Sequence, residues 1–472
     1  MTLYKYVVAI SLFIISFTSH GQTGYDLKFE ISGLADTTVL LGNFFGESTY
    51  VKDTAMANAN GEFSFQGNET LEKGIYFLVL GKTRLFDFPI GDDQHFTLKA
   101  NKPDYVLNMQ VSGDKDNKLY FNDLKYNAER NKEAQPFIEI IRDSTSAPDE
   151  LAGAREALDA LNTKVMAHQQ ELIDAHPDAI ISKIHKANKR IEVPEAPEGT
   201  DEQTYKYNYY KSHYWDYFDL SDPVMLRLAN PVYQEKYNNY LDKLVLQQPD
   251  SLIKEIDALV AQAKTNQDTY KYAVWTAVIK YQYPEIMGLD KVYVHLFDKY
   301  FASGEMDYWA NNQLKNNLRD RADQLRNSLV GNKAPNLIMQ DQNLQRRVLY
   351  DIPNAYTVIY FFDPDCGHCK KETPKLVKFY NETDFDVEVF AVSADTSLVK
   401  MKDYIKDMDM NWVTVNGPRT FTQPYQTLYD ATTTPTIYVL DRDKKIIAKK
   451  LPAERLEEFL TRYEAIEEKN KP

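Results

Sequence analysis

Cysteine is nearly absent: Cys366 and Cys369 are the only two in 472 residues. Two cysteines cannot form a four-thiolate zinc site, and no C-terminal His-x-x-x-His completes one. A chain this long also does not need one bridge across two residues for stability. Positive charge is short as well. The net charge of −14 argues against nucleic acid and anionic membrane surfaces, both of which demand a basic footprint. Neither G-x-x-x-x-G-K-[ST] nor G-x-G-x-x-G occurs, so the phosphate-cradling loops are missing. Long apolar runs are missing too. Tyr6 to Phe17, about a dozen residues, falls short of the ~18 needed to span a bilayer. With Lys5 ahead of it and Ser19 and Gly21 behind, it reads as a secretory signal cleaved near Gly21, before Gln22. An uncleaved anchor is the alternative. No cysteine near the cleavage point is available for a lipid.

What remains has three grammars, after residues 1–21 are set aside as the signal. Residues 22–116 read as β-structure. Leu27 to Ile31 alternates, Thr38 to Leu41 follows a turn at Gly33, and Gly61 to Gly67 is a short alternating strand between glycines. Ile75 to Leu80 and His95 to Lys99 add two more. Short strands with turn signals every ten or so residues predict an antiparallel β-sandwich or barrel. Residues 117–330 read as all-α. Glu150 to His176 carries Leu151, Ala154, Leu158, Leu161, Val165 and Leu172 at helical spacings, and prolines punctuate successive helices. Tyr210, Tyr214, Tyr217 and Phe218 share one helical face and read as packing. His168, His176 and His185 lack metal-ligand spacing. Residues 331–472 alternate strand and helix. Val358 to Phe362, Val387 to Val392 and Thr436 to Leu440 are candidate central strands, with Lys445 to Lys449 an edge strand. Lys370 to Asn381, Ser397 to Met408 and Ala453 to Glu468 are the helices. A multidomain chain is expected: β-sandwich, helical domain, then a compact α/β layer.

Both cysteines sit in that last segment, as Cys366-Gly367-His368-Cys369, between the apolar run ending at Phe362 and a helix beginning near Lys370. Downstream, Thr434-Pro435-Thr436 opens another strand. Strand, C-x-x-C at a helix start and a proline-led strand form a thioredoxin-like arrangement. Only a thiolate attacks a disulfide, and an ordinary thiol is only about 3% ionised at pH 7. Free N–H groups and the dipole at a helix start favour the anion, as would a protonated His368 nearby. A fall of about two units, worth about 2.7 kcal/mol, makes the thiolate the majority form. Asp365 opposes this. Glu372, one helical turn past Cys369, is placed to accept the Cys369 proton directly or through water. Its alternative is a solvated first-turn acid.

Gly331-Asn332-Lys333-Ala334-Pro335, Phe361 to Pro374, Val389 to Asp395 and Thr434 to Asp441 together resemble periplasmic thioredoxin-like thiol-disulfide oxidoreductases of the ResA and TlpA type. The resemblance covers roughly the last 30% of the chain. It implies a thioredoxin fold, with Cys366 the exposed nucleophile and Cys369 the shielded resolving thiol. It also implies a cis bond before Pro435, a Thr434 backbone that pairs with an incoming peptide, and a carboxylate near the site at Glu372. No cofactor or metal is implied. The implied partners are cysteine-containing exported proteins and a membrane or periplasmic thiol donor. The chain departs from the pattern at Asp365 and Phe362, where tryptophans are common. Tyr360 stands where thioredoxin keeps a buried aspartate, and Gly-His is the pair used by protein disulfide isomerases. The first two segments look, more loosely, like envelope-protein domains of uncharacterised function. A periplasmic thiol-disulfide oxidoreductase is expected. An oxidase or isomerase and a binding protein with a secondary redox centre are the alternatives. A peroxidase lacks its Pro-x-x-x-Thr-x-x-Cys here. Substrate, direction of electron flow and oligomeric state stay open.

Overall fold

The computed structural model describes residues 24–469. The expected signal and its cleavage point lie outside the described residues. The chain divides into two units, Met1–Tyr237 and Asn238–Pro472.

The first unit opens with β1 (Tyr25–Ile31), β2 (Thr38–Phe45), β3 (Ser48–Met56), β4 (Glu62–Gly67), β5 (Gly74–Leu80), β6 (Thr83–Ile90), β7 (His95–Ala100) and β8 (Gln110–Ser112). They make two four-stranded sheets, ordered β4-β1-β7-β8 and β3-β2-β5-β6. Alternation sends Leu27, Phe29 and Ile31 into one core with Phe63, Phe65, Leu78 and Phe88. All pairings are antiparallel except β1 with β7, which is parallel. β3 has no buried residue, which is why no apolar pattern announces it; β2 supplies its ladder. Gly61 turns the chain into β4 at φ +78°, where a Cβ would lie 2.2 Å from the Ile31 carbonyl oxygen.

Helices follow: α1 (Lys115–Arg142), α2 (Pro148–Ala175), α3 (Ile180–Ala187) and α4 (Glu202–Ser212). Asp114 caps α1 by accepting the Asn117 N–H at 2.6 Å, and Phe121 enters the sandwich core. The buried Asp123 of α1 lies 3.2 Å from His168 Nε2 and 3.1 Å from His185 Nε2, so two of the three scattered histidines join α1, α2 and α3. The aromatic face divides. Tyr214 and Phe218 are buried but Tyr210 is 38% exposed, because α4 stops at Ser212 and the helical register does not reach Tyr217. A fifth helix, α5 (Val232–Lys243), contains the division between the units.

The second unit continues with α6 (Pro249–Ala263), α7 (Gln267–Gln282), α8 (Asp290–Leu296), extended by a π-helical turn at Phe297–Ala302, and α9 (Asn312–Asn327). Then come β9 (Ile338–Asp341), β10 (Arg346–Val348), β11 (Tyr356–Phe362), α10 (Gly367–Glu382), β12 (Val387–Ser393), α11 (Leu398–Asp407), β13 (Val413–Thr420), α12 (Tyr425–Leu428), β14 (Thr436–Leu440), β15 (Ile446–Lys449) and α13 (Leu456–Lys469). One seven-stranded sheet results, ordered β10-β9-β13-β12-β11-β14-β15. β11 is its hub, parallel to β12 and antiparallel to β14. Val358, Tyr360 and Phe362 feed the core under α10 and α13, while Ile359 and Phe361 feed the core on the other face. Burial on both faces explains a strand that is apolar without alternation.

β15 is the outer strand, as expected of Lys445 to Lys449, yet every residue in it is buried. Lys449 Nζ pairs with the buried Asp290 of α8 and donates to the Ser328 carbonyl oxygen at 3.0 Å. Burial pulls the Lys449 pKa down, and Asp290 opposes that shift. Removing one partner of such a pair strands a charge in the interior. Asp290→Ala is therefore expected to lower unfolding free energy by about 3–5 kcal/mol in urea titration. A loss of only about 0–1 kcal/mol would show that the pair behaves as a solvated surface bridge.

Candidate active site

The site begins where β11 ends. After Phe362 the chain turns through Asp363-Pro364-Asp365, with the Asp365 N–H bonded to Asp363 Oδ1 at 2.8 Å and the Cys366 N–H to the Asp363 carbonyl at 3.1 Å. This turn makes Cys366 the N-cap of α10, at φ −73° and ψ 120°. Its Sγ occupies the capping position and accepts the Cys369 N–H at 3.4 Å. The two cysteines are free thiols of unequal exposure, Cys366 half-buried and Cys369 fully buried. The Cys366 thiol donates to the Thr434 carbonyl oxygen at 3.4 Å, and the Asp363 N–H approaches Cys369 Sγ at 3.5 Å. The Thr434–Pro435 bond beside them is cis.

The two sulfurs titrate in opposite directions. Partial burial pushes the Cys366 thiol up, but hydrogen bonds from the Cys369 backbone and thiol, from the Thr434 side chain and from the His368 backbone outweigh it and hold it below the ordinary thiol value. Burial pushes Cys369 up to about 12. Asp365 does not stand as a bare negative charge next to Cys366. Lys400 Nζ pairs with it at 2.5 Å and with Asp395 at 3.2 Å. Asp363, Asp365 and Asp395 also have carboxylates within 4.8 Å of one another, and Lys400 pairs with the last two.

The structure thus brings together Cys366, Cys369, Thr434 and Pro435. His368 is exposed, and its backbone N–H rather than its ring bears on Cys366. Glu372 is engaged elsewhere: Oε1 accepts the Ala453 N–H at 2.6 Å and Oε2 lies 3.4 Å from Lys375 Nζ. Among the described residues no hydrogen bond joins it to Cys369.

Residues 330–449 match the AhpC/TSA family, residues 25–120 a domain of unknown function (DUF4369), and residues 164–323 another (DUF5106). The thiol-disulfide oxidoreductase ResA of Bacillus cereus is 25% identical over 135 residues, 28% of this chain and 76% of that protein. A crystal structure of a "domain of possible thiol-disulfide isomerase" from Cytophaga hutchinsonii is 35% identical, covering 30% of this chain and 97% of that one, with TM-score 0.29. A thioredoxin-like protein from Bacteroides caccae is 18% identical over 58% of this chain and 99% of its own, with TM-score 0.47. The C-terminal segment is a thioredoxin-like domain of the AhpC/TSA family. Its homologues include ResA-type thiol-disulfide oxidoreductases.

Two residues of the thioredoxin-like domain, Thr373 and Tyr404, escape a reading by motif, and they meet Tyr360. Thr373 Oγ1 donates to the Cys369 carbonyl at 2.9 Å and lies 2.8 Å from the hydroxyls of both Tyr360 and Tyr404. One donated and two accepted bonds satisfy a threonine hydroxyl completely. All three side chains are buried. The Thr373 contact was available from spacing, four residues past Cys369 on a helix. Tyr404 comes from α11, and no local signal links it to the cysteines.

Thiolate reactivity follows directly. Iodoacetamide at neutral pH should label the native reduced protein once, at Cys366, and twice after denaturation, read by intact mass. Because the Cys366 pKa is lowered, the rate should persist below the ordinary thiol range and fall only as pH drops through that lowered value. Two adducts on the native protein would contradict the burial of Cys369.

Proposed function

We propose that this protein exchanges electrons between its Cys366–Cys369 pair and cysteines of exported envelope proteins. One observation carries the reading: two thiols three residues apart, one at a helix N-cap with its anion favoured, the other sealed in the core with its anion disfavoured. In the reducing direction, the Cys366 thiolate attacks a substrate disulfide, forming a mixed disulfide and releasing one substrate thiolate. Cys369 Sγ then attacks Cys366 Sγ. The second substrate sulfur leaves, taking up the proton that Cys369 gives up, and two electrons have passed to the substrate. A thiol donor of the envelope restores the dithiol.

Pro435 and the Thr434 backbone would border the incoming peptide, and His368 would tune the potential from the exposed first turn of α10. Glu372, held by Ala453 and Lys375, would serve first to tie α10 to the turn before α13. The depressed Cys366 pKa gives a second reading its support. Stabilising the thiolate stabilises the dithiol, which favours an oxidase or isomerase.

Equilibration against glutathione or dithiothreitol decides the direction. A reductant requires a potential near or below about −250 mV, whereas an oxidase or isomerase falls between about −200 and −120 mV. A pair that exchanges with neither buffer would leave a binding protein. Export rests on the pattern of Lys5, Tyr6 to Phe17 and Gly21, and no helix among the described residues is long and apolar enough to cross a membrane. N-terminal sequencing of the protein from its native envelope should begin at Gln22. An intact Met1 in that fraction would oppose cleavage.

A further inference from the structure

The loop that faces Cys366 is braced from outside its own domain. Asp430 lies four residues before Thr434, at the base of that loop. Its Oδ1 accepts from Arg321 Nη1 at 2.5 Å and its Oδ2 from Arg321 Nη2 at 3.2 Å. Both partners are buried, with Arg321 8% and Asp430 3% exposed. The Asp430 N–H donates to Ser328 Oγ at 3.3 Å, and Lys450 Nζ reaches the same carboxylate at 2.6 Å. Lys450 also closes the far end, its N–H bonded to the Ile437 carbonyl at 2.6 Å. Thr434 and Pro435 are held between these two anchors. Arg321 belongs to α9, upstream of the family match, and is itself fixed there. Its Nη2 donates to the Gln282 carbonyl at 3.0 Å, and its guanidinium stands 4.5 Å over the Tyr283 ring.

A buried ion pair gains little stability over apolar packing, because desolvation offsets the attraction. What the guanidinium fork adds is direction, since it meets a carboxylate in one planar arrangement that a lysine does not reproduce. Direction matters here because Cys366 Sγ and the Thr434 carbonyl are 3.4 Å apart. A shift at the loop base moves the Thr434 side of the site relative to the sulfur, and a misplacement of about 1 Å is costly in catalysis.

We propose that Arg321 is a positioning residue for the redox site, holding the Thr434–Pro435 loop, through Asp430, in the place that receives a peptide disulfide. The helical segment that carries Arg321 is then a working part of the redox unit. The proposal rests on the thiol-exchange reading of Cys366 and Cys369.

The full chain is compared as wild type, Arg321→Lys and Arg321→Met, on insulin disulfides with dithiothreitol restoring the dithiol, and, as the pre-reduced protein in a single turnover, on DTNB, an aryl disulfide with no peptide backbone. With rates read at a pH above the Cys366 titration, where the thiolate fraction is full in every variant, the KM for insulin should rise about threefold in Arg321→Lys and about tenfold in Arg321→Met, with kcat and the DTNB rate within about twofold of wild type. The Cys366 thiolate titration, followed at 240 nm, should move upward in the same order, because the Thr434 side chain, carried on the same loop, contributes to lowering it. An unchanged insulin KM together with an unmoved titration overturns the proposal. Equal losses on both substrates also overturn it, since they report general loss of structure. Should Arg321→Met fail to fold, the Arg321→Lys values decide by the same criteria. A wild type that reduces neither disulfide removes the thiol-exchange reading, while the titration still decides whether Arg321 positions the loop.

Discussion

The sulfur of Cys366 takes the place of a helix cap, and the chemistry of this chain depends on that substitution. A first helical turn presents N–H groups with no partner within the helix. Here they meet a thiol that can become an anion, and the Cys369 N–H lies 3.4 Å from it. The cap works because β11 delivers the chain to that point. β11 is central, buried on both faces and paired on both edges, so the turn at Asp363 to Asp365 has a rigid base. The same helix carries Cys369 inward to the core formed by Tyr360, Phe362 and Leu376. Two chemically identical side chains therefore acquire opposite preferences, one from backbone dipoles and the other from desolvation.

The ground behind Cys369 is neutral. Tyr360, at the position where the resemblance to thioredoxin leads one to expect a buried aspartate, joins its hydroxyl to those of Thr373 and Tyr404 in a closed network. Hydroxyls satisfied in this way keep the interior polar without placing a charge in it, and burial then dominates the Cys369 pKa. Glu372, the nearest carboxylate by sequence, is bonded to the Ala453 N–H, and the exposed negative charge of Asp365 is matched by Lys400. Charge at this site is confined to its rim.

Charge buried deeper is used between segments. Lys449 with Asp290 and Arg321 with Asp430 connect α8 and α9 to the sheet and to the loop before β14, with Ser328 bonded to both clusters. Such pairs are demanding in geometry and weak in net stabilisation, which suits alignment better than adhesion. The fully buried outer strand divides its residues: Ile446 enters one core of the sheet, Ile447 and Ala448 the other, and Lys449 turns to Asp290 of α8.

Local pattern determined a great deal. The C-x-x-C at a helix start, the apolar run of β11 and the proline before β14 are short-range features, and period and spacing encode them within a dozen or so residues. The alternating strands β1 and β4 and the long helix α2 were legible for the same reason. β3 was not, because an exposed edge strand carries no apolar period, and the parallel pairing of β1 with β7 was not, because register between distant strands leaves no local mark. Tertiary structure alone decided that Glu372 bonds a distant backbone amide, that Tyr404 meets Thr373, and that Arg321 reaches Asp430 across more than a hundred residues of chain. Those contacts arise from the packing of elements whose separation in sequence is unrelated to their separation in space. The amino-acid sequence thus determined where along the chain the two thiols lie, and the fold decided which groups surround them.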